Sequence, residues 1–137
     1  MRIIGLDIGE KRIGMALSDE LGLTAQGLET FYRTSLDKDI SGIRTILAQH
    51  GAQKIVAGLP RNMNGTYGPQ AEKIREFATQ LGQQSGLEVT YWDERLTSAA
   101  AERTLLEANV SRGKRKKVVD KLAAVLILQG YLDAQNR

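Results

Sequence analysis

Residues 3–17 run Ile3-Ile4-Gly5-Leu6-Asp7-Ile8-Gly9-Glu10-Lys11-Arg12-Ile13-Gly14-Met15-Ala16-Leu17, and the fold class turns on how this stretch is read. Ile3, Ile4, Leu6 and Ile8 form a short β-branched-rich run that stops at Gly9, the pattern of a buried strand. Glu10, Lys11 and Arg12 make a polar turn. Ile13 to Leu17 then reads as a second strand, antiparallel to the first. A weaker third strand is expected over Gly27 to Tyr32, so the chain opens with a three-strand meander.

After the meander the period changes. Ile40, Ile43, Ile46 and Leu47 recur at helical spacing, with Ser35 as a cap and Asp37 and Asp39 in the first turn. Gly51 is a helix stop. Lys54 to Leu59 reads as a buried strand closed by Pro60, and Asn62, Asn64 and Gly65 mark a loop. Ala71, Ile74, Phe77, Ala78 and Leu81 form the stripe of a second helix. Leu87 to Trp92 is a further strand. Thr97 caps a third helix reaching about Ala108. A polar, basic stretch from Asn109 to Lys117 leads to a strongly apolar last helix, Val118 to Leu132. The order β-β-β-α-β-α-β-α-α implies an α/β domain: a mixed sheet of about five strands with helices on both faces. With no internal repeat, low-complexity segment or linker, residues 1–137 are expected to be a single domain.

Composition narrows the chemistry. There is no cysteine, which excludes disulfide scaffolds and cysteine-ligated zinc and suits a reducing compartment. With His50 the one histidine, Ser-His-Asp and Cys-His catalysis lose their base unless it comes from that residue. A bound metal would need oxygen ligands, which points to Mg2+ or Mn2+. No apolar run is long enough to span a bilayer, and Met1 leads straight into strand-like sequence, so a soluble, cytoplasmic protein without a membrane partner is expected. The net charge of +3 and pI near 9.3 permit a nucleic-acid partner without requiring one.

Four acidic residues, at three places in the chain, stand out. Asp7 lies among buried-strand residues, where a lone carboxylate costs several kcal/mol unless a cation or several backbone donors compensate it. A metal ligand at a strand end and an aspartate ordering the next turn account for it equally well. Asp93 and Glu94 close a strand, where adjacent residues point to opposite faces, so only one of them easily shares a site with Asp7. Asp120 precedes Ala124, Ile127 and Tyr131 at helical spacing, in a helix whose segment Leu122 to Leu128 has no polar residue. It therefore belongs on or beside a buried stripe, and its place near the helix start also suits the macrodipole. Such acids can hold hydrated magnesium for an in-line phosphoryl displacement, a chemistry that requires neither histidine nor cysteine.

The chain also resembles the YqgF family of pre-16S rRNA nucleases, described too as Holliday-junction-resolvase-like. The resemblance covers nearly the whole length. It rests on Leu6-Asp7-Ile8-Gly9 followed by Lys11-Arg12-Ile13-Gly14, on Gly58-Leu59-Pro60 with Met63-Asn64-Gly65-Thr66, on Trp92-Asp93-Glu94-Arg95-Leu96-Thr97, and on Lys117-Val118-Val119-Asp120. It implies an RNase H-like fold, and it implies that Asp7, Glu94 and Asp120 are the catalytic, metal-binding acids, selecting Glu94 over Asp93. The implied activity is that of a hydrolase acting on ester bonds, cleaving RNA in 5′-end maturation of precursor 16S rRNA during ribosome biogenesis.

Around these acids, Lys11, Arg12 and Arg95 are candidate phosphate contacts, against ordinary turn residues or, for Arg95, an ion pair with Asp93. Arg112, Lys114 and Arg115 belong to a run of five basic residues ending at Lys117, expected to be a solvated loop that closes on a nucleic-acid backbone. Arg61, Asn62 and Asn64 could meet substrate, although loops favour such residues anyway. The expected partner is structured RNA, in precursor rRNA or a ribosomal particle, bound by a monomer. Two alternatives stand beside this reading. One is a branched-DNA or Holliday-junction resolvase, which would act as a dimer. The other is a non-catalytic RNA-binding ribosome-assembly factor.

Overall fold

A computed structural model describes residues 1–62, 64–93 and 112–136, with the backbone alone over 112–121. Among the described residues six strands form one sheet: β1 (Ile3–Ile8), β2 (Arg12–Ser18), β3 (Ala25–Gly27), β4 (Phe31–Tyr32), β5 (Lys54–Leu59) and β6 (Glu88–Asp93). Their order is β3-β2-β1-β5-β6, with β4 also pairing β2. β1 and β2 are antiparallel, while β1, β5 and β6 are mutually parallel. Parallel neighbours need crossover connections, and α1 (Leu36–Gln49) and α2 (Pro69–Ser85) supply them. Both pack on the same face of the sheet. The last helix, α3 (Arg112–Gln135), covers the other.

Side-chain alternation along β1 divides the two cores. Ile4, Leu6 and Ile8 join Ile40, Ile43, Ile74, Phe77 and Leu81 beneath α1 and α2. Ile3 joins Ala124, Ile127, Leu128, Tyr131 and Leu132 beneath α3. Small residues bring α3 close to the sheet. A Cβ placed on Gly5 would lie 2.7 Å from Leu128 Cβ and 3.3 Å from the Ala124 carbonyl oxygen. At the far end of α3, Gln129 accepts from the Ala25 N–H and donates to the Leu23 carbonyl, which fastens the helix to the loop before β3.

The expected element starts and stops are largely found. The Ser35 hydroxyl accepts from the Lys38 N–H at the head of α1. Gly51, the expected stop, follows α1 at positive φ, and Gly86, which was not singled out, does the same after α2. Two expectations change. The single strand over Gly27 to Tyr32 is two short strands, which makes six rather than about five. Leu28 still donates to the Met15 carbonyl, but the chain leaves the ladder before Phe31. The Phe31 ring seats against α1 at Gly42, where a Cβ would come within 2.6 Å of it. The basic run Arg112–Lys117 is also not a loop: its backbone forms the first turns of α3. Lys and Arg are good helix formers, and a lone Gly113 near the helix start does not break it. The expected helix from Thr97 to Ala108 lies outside the described residues. Among those that are described, no helix is long and apolar enough to cross a membrane.

Candidate active site

Asp7 is the last residue but one of β1, at the centre of the sheet, and it is half-buried. Strand alternation puts it on the face of Ile3 and Gly5, beneath α3. Directly across on β2 stands Gly14. On the other side the ladder runs Leu6 to Ala57, and the next β5 residue is Gly58. Glycine on both flanking strands leaves beside the carboxylate a slot that no side chain of Gly14 or Gly58 fills. Such a slot, with an oxygen donor at its base, suits a hydrated divalent cation. It also lies at the carboxyl ends of parallel strands, the usual ligand edge of an α/β sheet.

Gly9 closes the β1–β2 turn: its N–H donates to the Arg12 carbonyl at 2.8 Å, and a Cβ on it would come within 2.7 Å of that oxygen. Arg33 braces the turn from behind. It donates from Nη1 to the Gly9 carbonyl at 2.8 Å and from its backbone N–H to the Lys11 carbonyl at 2.9 Å. Its Nε meets Asp39 Oδ2 at 3.0 Å, while the other Asp39 oxygen accepts from the Thr34 N–H. The Arg33 guanidinium lies 4.8 Å from the Phe77 ring centroid. Asp39 is 2% exposed. It is thus a buried anchor as well as a first-turn acid, and sequence reasoning missed this because nothing local links positions six apart across a strand–helix junction.

The remaining candidates separate. Arg12 begins β2 opposite Tyr32, two residues from Gly14 and on its face, so it stands diagonally from Asp7, at the spacing where long side chains still reach. Lys11 is exposed and instead lines a cleft of about 550 Å3 between α1 and α2, with Gly9, Arg33, Ser35, Lys73 and Phe77. That cleft takes its strand residue, Ile8, from the α1–α2 face, so it is distinct from the slot at Asp7. On β6, Tyr91 packs with the α1–α2 core and Trp92 with the α3 core. Asp93 follows on the side of Tyr91, away from Asp7, with Arg61 Nη1 at 3.9 Å from its Oδ2. Glu94 and Arg95 lie outside the described residues. Asp120, Arg112, Lys114 and Arg115 occupy α3 by backbone. Asp120 is roughly two turns inside the helix rather than near its start, which removes the macrodipole explanation for it. Among the described residues no three acidic or histidine side chains come together as a metal cluster. His50 caps α1 and has no place at this edge.

A central parallel core flanked by an antiparallel hairpin, with an acid at the end of its first strand and a helix across that face, is the RNase H-like fold of Holliday junction resolvases. T. thermophilus RuvC in complex with Holliday junction substrate superposes with TM-score 0.62 at 15% identity, over 99% of this chain and 96% of that one. The fowlpox virus resolvase, in complex with substrate Holliday junction DNA, superposes with TM-score 0.64 at 14% identity over the whole of both chains. The family model described as "RuvX: Holliday junction resolvase" matches residues 1–134, and the chain belongs to that family. Relatives named "Putative pre-16S rRNA nuclease" include one from Symbiobacterium thermophilum, 61% identical over 98% of this chain and 94% of its own length. Another, from Carboxydothermus hydrogenoformans, is 54% identical over 100% and 99%.

Proposed function

We propose that the protein is a metal-dependent nuclease that hydrolyses RNA phosphodiester bonds in 5′-end maturation of precursor 16S rRNA. The observation that carries this is the half-buried Asp7 at the end of the central strand, in a slot bounded by glycines and facing α3, within a chain of this family. The relatives' names supply the substrate.

In this reading Asp7, Glu94 and Asp120 are the acids that hold the cation, Mg2+ or Mn2+. Asp93 points away from Asp7, which favours Glu94. Asp120 stands one helical turn before Ala124, whose carbonyl lies against Gly5, and this favours an approach of α3 to Asp7 there. A bound divalent cation supplies charge stabilisation for the attacking and leaving oxygens of an in-line displacement. Asp7 contributes a fixed negative oxygen whose position is set by the paired β1–β2 ladder and the Arg33-braced turn. Arg12 contacts the substrate phosphate from the same face, joined by Arg95 and by Arg112, Lys114 and Arg115 at the head of α3. Lys11 contacts substrate only where the strand passes over the turn.

Asp7→Asn keeps the shape of the slot and removes its charge. Cleavage of a precursor-rRNA fragment in Mg2+ is expected to disappear while the melting temperature holds. A purified variant that cuts like the parent removes the assignment. The family description favours a second reading, in which the same site resolves branched DNA. A four-way junction cut symmetrically by a dimer, with the RNA fragment left intact, would select it. The non-catalytic assembly factor is selected instead if neither nucleic acid is cut in Mg2+ or Mn2+. A cytoplasmic site of action follows from the precursor-rRNA substrate.

A further inference from the structure

We propose that Arg61, Tyr67 and Arg75 form a cradle for the phosphodiester backbone of the substrate strand, beside the acidic edge of the sheet. The inference takes its ligand class from the nuclease reading. The cradle itself rests on the loop between β5 and α2, where the sequence marked Arg61 as a possible substrate contact but neither Tyr67 nor Arg75.

The loop is built to hold two guanidinium groups on one aromatic ring. Tyr67 is 41% exposed. The Arg61 Cζ lies 4.9 Å from its ring centroid and the Arg75 Cζ 4.4 Å. Both contacts fall within cation–π range. Arg61 is further fixed by two donations to the Gly65 carbonyl, from Nε at 3.1 Å and Nη2 at 2.7 Å. Gly65 adopts a φ of +84°, which a side chain rarely tolerates. Asn62 N–H to the Thr66 carbonyl and Gly65 N–H to the Asn62 carbonyl, each 2.8 Å, close the loop on itself. The geometry is therefore pre-set rather than assembled on binding.

Among the described residues the charges in this arrangement are only partly balanced. Two cations share one ring, and among the described residues Asp93 is the carboxylate within ion-pair range of either, at 3.9 Å from Arg61 Nη1. Arg75 stands on the flank of the buried stripe of α2, and its Nε is buried with no hydrogen-bond partner. An aromatic face offsets positive charge but offers no acceptor in the guanidinium plane. A phosphate oxygen does, and the part-exposed side chain of Arg75 can offer it a planar fork, by its outer nitrogens and not by the buried Nε.

Position supports the same ligand. Asp93 ends β6, two strands from β1, so its backbone lies roughly 10 Å from that of β1 along the same carboxyl edge of the sheet, with the cradle on the α1–α2 face of that edge. A strand whose scissile bond sits at Asp7 passes over the β5–α2 loop with a neighbouring phosphate. Because both guanidiniums lie against the ring, the ring acts as their spacer rather than as a platform for a base, and the cradle reads backbone, not sequence.

The test is binding by fluorescence anisotropy of a labelled precursor-rRNA fragment, in an Asp7→Asn background so that nothing is cleaved, across a range of KCl. Arg75→Gln is expected to weaken binding several-fold and to lower the salt slope by about 0.7 for one lost single-strand phosphate contact. Arg75→Lys is expected to restore most of the slope. Unchanged affinity and slope in folded Arg75→Gln would overturn the cradle. So would weaker binding with an unchanged slope, which marks a structural role. If Arg75→Gln melts below the assay temperature, Arg61→Gln is read by the same criteria. The outcomes separate the two readings: a parent that binds with this Arg75 dependence but cuts nothing retains the cradle without the nuclease. Cleavage by the parent together with an inert Arg75 does the reverse.

Discussion

Gly5→Ala tests how the helix and the central strand are held together. Gly5 stands two residues before Asp7 on the same face of β1, where α3 crosses. An added Cβ meets Leu128 Cβ at 2.7 Å, the Ala124 carbonyl oxygen at 3.3 Å and Leu128 Cγ at 3.5 Å. Carbon atoms in contact prefer about 3.5–4.0 Å, so α3 must withdraw by roughly 1 Å. A gap of that size forfeits a quarter to a half of each lost dispersion contact beneath Ile127, Leu128 and Tyr131, and overpacking of this kind costs about 1–3 kcal/mol. For a chain of this length that is a fall in melting temperature of roughly 3–12 °C. The loss in rate should exceed what that stability change suggests. Asp120 is one turn from Ala124, and a 1 Å misplacement of catalytic groups can cost on the order of a hundredfold. Differential scanning fluorimetry and single-turnover cleavage at a temperature where the variant is fully folded measure the two effects. Leu128→Ala provides a control, because the clashing atom is Cβ and survives the truncation. If Leu128→Ala rescues Gly5→Ala, or if Gly5→Ala matches the parent in both assays, the close approach does not set the site.

Asp39→Ala leaves the Arg33 guanidinium without its carboxylate and the Thr34 N–H without its acceptor, and it should destabilise the fold by about 3 kcal/mol in urea unfolding. That is the low end for breaking a buried pair, since the Arg33 side chain keeps 21% exposure. A change below 1 kcal/mol would show that the pair is not what holds the β1–β2 turn. Asp19 contributes a pH dependence: hydrogen bonds from the Thr24 N–H and then the Leu23 N–H hold its carboxyl below its ordinary value. Its stabilisation of the Asp19–Thr24 loop is present above the unfolded carboxylate range and is lost as pH falls through the lowered folded value. An NMR titration placing the Asp19 carboxyl at or above the value of a free aspartate would contradict this.

Much of the architecture was legible in local pattern. The strands at Ile3–Ile8 and Lys54–Leu59, the Ser35 cap and the stripe from Ala71 to Leu81 are all found, because each is written in the period of its own segment. The split of the third strand was not legible. It depends on Phe31 finding the bare surface of Gly42, a contact between elements. The helical Arg112–Lys117 run was misjudged for a related reason, since charge signals exposure to solvent and exposure does not distinguish helix from loop. At the site, Arg75 carried a faint signal as a charged residue one turn after buried Ala71. Its meeting with Tyr67 and Arg61 had none.

The local sequence around Asp7 determined that a carboxylate would stand near the end of a buried strand, a placement that demands compensation whatever surrounds it. It left the nature of that compensation open, because two explanations cost the same in one dimension. Register between strands is a property of the folded sheet, and it decided that Gly14 lies opposite Asp7 and Gly58 beside it, so that neither flanking strand puts a side chain there. Alternation in β6 then turned Asp93 to the other face, and the absence of a side chain on Gly5 let α3 come down over the slot. A one-residue shift of any strand would have reversed these outcomes without changing a letter of the sequence, because side chains alternate with a period of two.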